Sequence, residues 1–291
     1  MSETQLLTAS EVLIKHGLNW EVGAKPIYDE NGQQLSDYSA ITRLDNNHVF
    51  QIAGSGYQIG QQAAVLRFID DITETGQAKY VRAGSFKWGA VVFVQAEIPS
   101  MTFEPVKGDE VKSYLTGITS HDGSLPVSIY PTAIRIICQN TLTASYREAI
   151  YKVSARHTEH MNSRIMSQAT SILSKEIAYF KAFSEKCRAL AGKEMLSLEI
   201  DTFLNDLFKI DAEIKTSTKT KNIRDEVMAL VEVGKGSNIQ GVRGTAWGVY
   251  NAVTEYIDHN RSTKNDQRDY ASMLGSGATL RERAFDLLLN K

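Results

Sequence analysis

The hydrophobic pattern changes character about halfway along this chain, and that change constrains the fold more than any other feature. In the first half, short alternating runs such as Val111–Ser120 and Val127–Cys138 are separated by turn residues, which is typical of β-strands. From Thr141 onward, apolar residues recur at helical spacing. The sequence therefore predicts an α+β fold, with a curved antiparallel sheet and helices in residues 1–150 and a helical region in residues 151–291, packed on the sheet or projecting from it.

Helical segments are predicted in both halves. They cover residues 9–18, 61–72, 157–190, 197–207, 222–233 and 279–289. The longest, residues 157–190, places apolar side chains on one face and leaves basic side chains for the others. Before it lies Arg135–Asn140, a passage from strand to helix in which Asn140 is expected to cap the helix.

Neither the hydrophobic runs nor the N-terminus suggests a membrane protein. No run approaches the roughly 18 apolar residues expected of a membrane span, and the first residues lack a basic stretch followed by an apolar one. The two cysteines, Cys138 and Cys187, lie in very different contexts, which favours reduced thiols. We therefore expect a cytoplasmic protein without a membrane partner.

The charge is distributed unevenly. Residues 1–150 carry 11 Lys and Arg against 16 Asp and Glu, whereas residues 151–291 carry 21 against 18. Between Tyr151 and Lys193 there are eight basic residues and three acidic ones. This surplus indicates a basic face suited to a polyanion, although a solvated helix face is the alternative explanation.

A glycine-rich loop, residues 234–244, runs directly into an aromatic helix that Thr245 is placed to cap. Backbone N–H groups at a helix N-terminus, with Lys235 and Arg243 beside them, make a plausible seat for a phosphate or another anion. A flexible connection between helices is the alternative. Val242 stands where the lysine of a phosphate-binding loop would be, so the loop does not indicate ATP hydrolysis.

Residues 54–60, GSGYQIG, are superficially close to a dinucleotide-binding loop, but the glycine spacing is one residue too long. We interpret them as a turn that leads into the helix predicted from Gln61. Aromatic residues interleaved with the basic half could stack on bases or belong to the core. They are Tyr146, Tyr151, Tyr179, Trp247, Tyr250 and Tyr256.

The candidates for chemistry are few. Cys138 could act as a nucleophile with His121 or His157 as its base, but its apolar neighbours favour a small buried residue. His157 and His160, with Cys138, His121 and Asp122, could hold a metal, yet no recognised ligand spacing accompanies them. The sequence therefore predicts no catalytic residue, no metal site and no cofactor.

Four sequence words, with the early Tyr57-Gln58-Ile59, resemble a family of phage and plasmid proteins that contain a domain of unknown function. The words are SHDGS at 120–124, RIICQNTL at 135–142, ARHT at 155–158 and GTAWGVYNAVTEYIDH at 244–259. The resemblance covers nearly the whole chain and implies an origin in a mobile element. It suggests, by analogy of fold and setting, a comparison with phage single-strand annealing recombinases, which also combine a small curved sheet with helices.

These observations lead to the hypothesis of a non-catalytic protein that binds single-stranded DNA and promotes annealing in recombination or replication. It would act as a homo-oligomeric ring or filament, in which many weak contacts add up. The basic groove and its polar neighbour would comprise Arg135, Asn140, Lys152, Arg156, Arg164, Lys235 and Arg243.

Two alternatives belong to other classes of function. In the first, the basic helix and loop dock on an acidic host protein, as in an anti-defence or regulatory factor. In the second, a metal- or thiol-dependent enzyme is built around Cys138, His121 and His157.

Overall fold

The computed structural model describes residues 7–63, 69–70, 76–144, 152–158, 161, 163–164, 167, 171–210, 216–262 and 267–290. The chain divides into two compact units. Unit 1 comprises Met1–Ser100, Tyr114–Pro131 and Ser145–Glu176, and unit 2 comprises Met101–Ser113, Thr132–Ala144 and Ile177–Lys291. The domain boundary expected near residue 150 remains a prediction.

The predicted α+β class is confirmed, because curled antiparallel sheets occupy the N-terminal half and helices the C-terminal half. The strands are β1 Val22–Tyr28, β2 Gln34–Arg43, β3 Val49–Gly54, β4 Lys79–Phe86, β5 Val91–Phe103, β6 Val111–Ser120, β7 Val127–Arg135, β8 Asn140–Ala144 and β9 Val153–Ala155. The helices are α1 Ala9–Lys15, α2 Ile172–Ala191, α3 Ser197–Phe208, α4 Thr218–Val233, α5 Ala246–Glu255, α6 Gln267–Met273 and α7 Ser276–Asn290.

The first sheet has the order β1-β2-β3 and is antiparallel. One face carries a small core of Val22, Ile41 and Ala53, against which Phe50 and Tyr57 pack. Helix α1 precedes this sheet and begins with a capping box, in which the Thr8 hydroxyl and the Glu11 carboxylate bond each other's backbone N–H groups.

The second sheet has the order β4-β5-β6-β7-β8, and β9 pairs with β7. Every residue of β7 is buried, as is nearly every residue of β6, so both faces of these strands are covered. The strands predicted at Val111–Ser120 and from Val127 are therefore confirmed. The loop 121–124 joins them as expected.

The prediction that helices begin at Thr141 is wrong. After β7 a short turn, in which Gln139 adopts a left-handed conformation with φ of 56°, reverses the chain into β8. Asn140 is thus the first residue of a strand, opposite Arg135, and does not cap a helix. Local periodicity missed this strand because a hairpin depends on cross-strand partners as well as on its own sequence.

The long helix predicted from His157 begins later. Val153–Ala155 forms β9 and His157 lies in a bend, whereas Met161, Ser163, Arg164 and Ser167 are helical and the described helix α2 starts at Ile172. Many of the residues between His157 and Ile172 lie outside the described residues, as does most of the helix predicted at 61–72. Within 61–72, the described residues Gln62, Ala63, Ile69 and Asp70 are helical.

Helix α5 is the most enclosed helix of unit 2, since all ten of its residues are buried. The Thr245 hydroxyl accepts a hydrogen bond from the Gly248 N–H and caps it, as predicted. A π-helical turn, Tyr256–Asn260, continues it. In the part of the chain that the structure describes, no helix is both long enough and apolar enough to cross a membrane.

Candidate functional site

The seven residues of the predicted groove are divided between the two units. Lys152, Arg156 and Arg164 belong to unit 1, whereas Arg135, Asn140, Lys235 and Arg243 belong to unit 2. Their environments differ as much as their positions in the chain.

Arg135 is fully buried and is paired within unit 2. Its Nε lies 2.6 Å from Asp109 Oδ1, its Nη2 lies 2.8 Å from Asp109 Oδ2, and its Nη1 donates to the Lys235 carbonyl at 2.9 Å. The indole Nε1 of Trp247 donates to the same carboxylate at 2.8 Å. The predicted place of Arg135 in a DNA-binding groove conflicts with this burial, because a guanidinium with a buried carboxylate partner is not presented to a ligand.

Asn140 is buried as well. Its Nδ2 donates to Thr254 Oγ1 at 3.2 Å, and its Oδ1 lies 2.9 Å from His259 Nε2, which also contacts the Cys138 carbonyl at 2.9 Å. Asn140 therefore connects β8 to the last turns of the aromatic helix. Its predicted place in the DNA-binding groove conflicts with this burial.

The glycine loop 234–244 is packed on these residues. The Lys235 N–H donates to Glu255 Oε2 at 2.8 Å, so the anion at this loop is a carboxylate of the protein itself. Gly236 has φ of +76°, and a Cβ there would lie 2.6 Å from Arg135 Nη2. The Lys235 and Arg243 side chains remain exposed, and Arg243 Nη2 donates to the Glu232 carbonyl at 2.6 Å.

A second ion pair, between the partly buried Asp258 and the buried Arg281, extends this arrangement. The carboxylate of Asp258, in the π-helical turn, accepts hydrogen bonds from the Thr141 N–H at 2.8 Å and from Arg281 Nη2 at 2.7 Å, and also from the Ser272 hydroxyl. We call the whole set the buried polar network of unit 2. It comprises Asp109, Arg135, Asn140, Thr141, Trp247, Thr254, Glu255, Asp258, His259, Ser272 and Arg281.

The aromatic residues of the second half are also internal. Tyr179, Trp247, Tyr250 and Tyr256 are all buried. The alternative that they belong to the core is confirmed for these four, and Tyr146 and Tyr151 lie outside the described residues. Stacking on bases by the four buried rings is excluded by their burial.

Unit 1 contains an open cavity of about 800 Å³, which we call the Tyr57 cavity. The strand β3 and the loops after β3, β6 and β9 supply its walls. It is lined by Gln51, Ala53, Gly54, Gly56, Tyr57, Gly123, Leu125, Pro126, Arg156, His157 and Thr158. Three of the sequence elements that carry the family resemblance, Tyr57, SHDGS and ARHT, therefore meet at one place.

His157 is held rigidly in the wall of the Tyr57 cavity. Its Nδ1 lies 3.2 Å from the Gln58 carbonyl and its Nε2 lies 3.1 Å from the Leu125 carbonyl. The ring stacks on Tyr57 with centroids 5.2 Å apart. Burial lowers the pKa of His157, and its two carbonyl contacts oppose that effect. Each ring nitrogen faces a carbonyl oxygen, and a neutral imidazole donates to one of the two, so His157 supports the cavity wall.

Tyr57 is half-buried. Burial, followed by the charge of Asp122, raises its pKa to about 12, so the phenol stays protonated. Its hydroxyl donates to the Ser120 carbonyl at 3.3 Å. The ring is thus held at its hydroxyl by this bond and on one face by the stack on His157.

Arg156 is exposed at the Tyr57 cavity, and no carboxylate among the described residues pairs with it. Arg164 is exposed too. Lys152 is partly buried, and burial lowers its pKa. Of the seven predicted groove residues, all of which the structure describes, Arg156 alone lines the cavity.

His121 is the first residue of the loop between β6 and β7, which also contains Gly123. It is 0% exposed, stacks on Phe50 at 5.4 Å, and has no hydrogen-bond partner for either ring nitrogen among the described residues. Burial, then the nearby His157, lowers its pKa to about 4. The neutral ring therefore cannot attract a phosphate by charge.

The residues of the predicted enzyme do not form a reactive set in the described structure. Cys138 is buried in unit 2, and burial raises the pKa of its thiol, so the thiol stays protonated. His121 and His157 belong to unit 1. The described residues contain no group of three or more His, Cys, Asp or Glu side chains suited to a metal, and His160 lies outside them.

Sequence reasoning missed Gln51, Asp109 and the role of Tyr57. Gln51 Nε2 donates to the His121 carbonyl at 2.9 Å, and Asp109 organises the buried polar network. Neither residue stands in a motif. The family resemblance was the available signal for Tyr57, because the short motifs that carry it include residues of both the cavity and the network.

A family model described as "Domain of unknown function (DUF932)" matches residues 49–275. The matched region begins at β3 and ends after α6, so it includes the residues of the Tyr57 cavity and most of the buried polar network. No curated protein and no solved structure matches the chain.

Proposed function

The chain belongs to the DUF932 family, whose description states no activity, and we propose that it binds single-stranded DNA at the Tyr57 cavity without transforming it. In this proposal Arg156 holds a phosphate, and the ring of Tyr57 provides a surface for a base. Lys152 and Arg164, in the same unit, would add to the attraction for the polyanion.

The single observation that carries the proposal is the position of Arg156. Its side chain is exposed, is unpaired among the described residues, and lies at a cavity wall that also presents a fixed aromatic ring. Arginine is charged at every physiological pH and binds phosphate oxygens through two parallel N–H donors. Cationic and aromatic groups side by side are the usual equipment of proteins that bind single strands.

The glycines of the cavity support the same ligand class. Gly54, Gly56 and Gly123 line the wall, so the main chain itself forms part of the surface. A bulky sugar–phosphate backbone can approach such a wall closely. The volume of about 800 Å³ also lies within the range of natural ligand cavities, roughly 300–1,000 Å³.

The state of the possible reactive groups favours binding over chemistry. Both ring nitrogens of His157 face carbonyl oxygens, and burial keeps the Cys138 thiol protonated. A nucleophile and its base need to be within hydrogen-bond reach of each other, whereas the hydrogen bonds of the Cys138 thiol among the described residues are with Arg135.

The wider role is part of the same proposal. We place the protein in recombination or replication of a phage or plasmid, in the cytoplasm, where it promotes annealing of complementary strands. A homo-oligomer would multiply the contacts of one cavity along a strand through effective concentration. The resemblance to mobile-element proteins and the analogy to annealing recombinases motivate this part.

Fluorescence anisotropy with labelled oligonucleotides tests the proposal. At low salt, the wild-type protein should bind single-stranded DNA more tightly than the same sequence as a duplex, and the affinity should fall as salt rises. Arg156→Ala should weaken binding, whereas Lys15→Ala, which removes an exposed charge at the end of α1, should leave it unchanged. A wild-type protein that binds no oligonucleotide at low salt would refute the proposal.

A further inference from the structure

The turn between β4 and β5 has an unusual backbone. Lys87, Trp88 and Gly89 all have positive φ, at 51°, 61° and 94°. Glycine adopts this conformation without cost, but lysine and tryptophan do so only against steric resistance. Bulky residues persist in such conformations where surrounding contacts force them to, and such sites are frequent in binding surfaces.

Trp88 is also strongly exposed. Its exposed fraction is 78%, compared with 0% for Trp247. Burying a large aromatic side chain is one of the strongest contributions to folding. Trp88 does not make that contribution, and its backbone is strained as well. Stability therefore does not explain why a tryptophan stands at this position.

Contacts on both sides hold the turn in place. A Cβ on Gly89 would lie only 3.1 Å from Trp20, which shows how closely the main chain approaches the first sheet. The next residue, Ala90, accepts a hydrogen bond from the His121 N–H at 2.6 Å. The indole of Trp88 is therefore presented to solvent by a braced turn.

The brace leads to the Tyr57 cavity. Lys87 Nζ lies 3.4 Å from Asp122 Oδ2, and the same carboxylate accepts the Ser124 N–H at 3.0 Å. Between them, Gly123 lines the cavity. The turn that carries Trp88 is thus connected through one ion pair to a wall of the proposed DNA site, all within unit 1.

We propose that Trp88 is a second stacking residue for the single strand that the Tyr57 cavity holds, an inference that rests on the proposed function. An indole ring stacks on any base, so the contact requires no particular sequence. The neighbours of Trp88 in the turn favour a base over a protein partner. Lys87 is paired with Asp122 and Gly89 is buried, so neither neighbour in the turn adds an exposed apolar side chain beside the indole, whereas a protein hot spot is ringed by further residues that exclude water.

Two substitutions test the inference. Trp88→Asn removes the ring and places a residue that tolerates the left-handed conformation, so the urea midpoint should stay the same or rise. The dissociation constant for single-stranded DNA should rise about 5- to 150-fold, the range for loss of one stacked base. Trp88→Phe should recover most of the affinity.

Tryptophan fluorescence provides a direct readout. Saturation with oligo(dT) should quench the wild-type emission, and Trp88→Phe, which retains Trp20 and Trp247, should lose that quenching. Suppose that Arg156→Ala weakens binding while Trp88→Asn binds with wild-type affinity and Trp88→Phe keeps the quenching. The inference is then overturned and the proposed function stands. If the wild type binds no single-stranded DNA, both are overturned.

Discussion

The buried polar network of unit 2 and the Tyr57 cavity of unit 1 contain the same kinds of residue in opposite situations. Each contains an arginine and a histidine, and each is marked by words of the family resemblance. In the network, all three nitrogens of Arg135 have partners. In the cavity, Arg156 has no ion pair among the described residues.

This difference shows that the interaction partners of a charged side chain, rather than its residue type, decide whether it stabilises the fold or remains available to a ligand. A buried guanidinium without a carboxylate would cost several kcal/mol, so Arg135 needs Asp109 for the fold to form. An exposed guanidinium such as Arg156 costs little and contributes little to stability. It remains available to a ligand.

The largest effect is expected from breaking the pair in the network. Arg135→Ala leaves Asp109 buried without its partner and should lower the free energy of unfolding by about 3–5 kcal/mol, measured by urea denaturation. The double variant Arg135→Met, Asp109→Leu should recover part of that loss, because it removes both charges. A loss below about 1 kcal/mol for the single variant would contradict the structural role of the pair.

The next effect is a pH dependence of the free energy of unfolding, which arises from His121 in unit 1. Burial lowers the pKa of His121 to about 4 from 6.5, so the unfolded chain binds a proton at a higher pH than the folded protein does. Stability is therefore complete above pH 6.5 and falls as the pH drops toward 4, by about 3 kcal/mol in total.

Urea denaturation at a series of pH values measures this slope. His121→Phe keeps a ring against Phe50 and removes the titrating group, so its slope between these pH values should be smaller than that of the wild type. An unchanged slope in His121→Phe would mean that the loss of stability comes from other groups, of which His157, also with a lowered pKa, is the first to test.

A smaller effect should separate packing from backbone strain in the glycine loop. Gly236→Ala combines φ of +76° with a Cβ 2.6 Å from Arg135 Nη2, whereas Gly244→Ala has the same φ and nothing within 4 Å. Each should lose about 1 kcal/mol or more from the backbone, and Gly236→Ala should lose more in thermal denaturation. Equal losses would indicate that the loop is not packed on Arg135.

The smallest effect on stability is expected at the cavity. Arg156→Ala should change the free energy of unfolding by no more than about 0.5 kcal/mol, although it weakens binding of single-stranded DNA. Arg135→Ala, measured under the same conditions, supplies the contrast. A large destabilisation by Arg156→Ala would remove the distinction between the two regions.

The fold was predictable where local pattern is strong. The strands β6 and β7, the Thr245 cap and the buried aromatic face of α5 all follow from short-range periodicity and capping preferences. Strand β8 was not predictable in this way. It forms because a left-handed Gln139 reverses the chain and because Asn140 has polar partners, Thr254 and His259, in the last turns of the aromatic helix.

The candidate site was predictable only in part. Arg156 was chosen for its charge, and its exposure is compatible with the proposed role. Arg135 was chosen on the same ground, and its burial was invisible in the sequence because Asp109 stands 26 residues away. The glycine loop was predicted to seat a phosphate or another anion, and its Lys235 N–H donates to the carboxylate of Glu255, 20 residues further along the chain.

By itself, then, the sequence determined the α+β class, several elements and the words that place the chain in its family. Tertiary structure decided which cations are neutralised and which face solvent. The physical reason is that burial and pairing are set by residues distant in the chain, such as Trp247 and Asp109, 138 apart, or His157 and Gln58, 99 apart. Periodicity reports only on neighbours within a few turns of the same element.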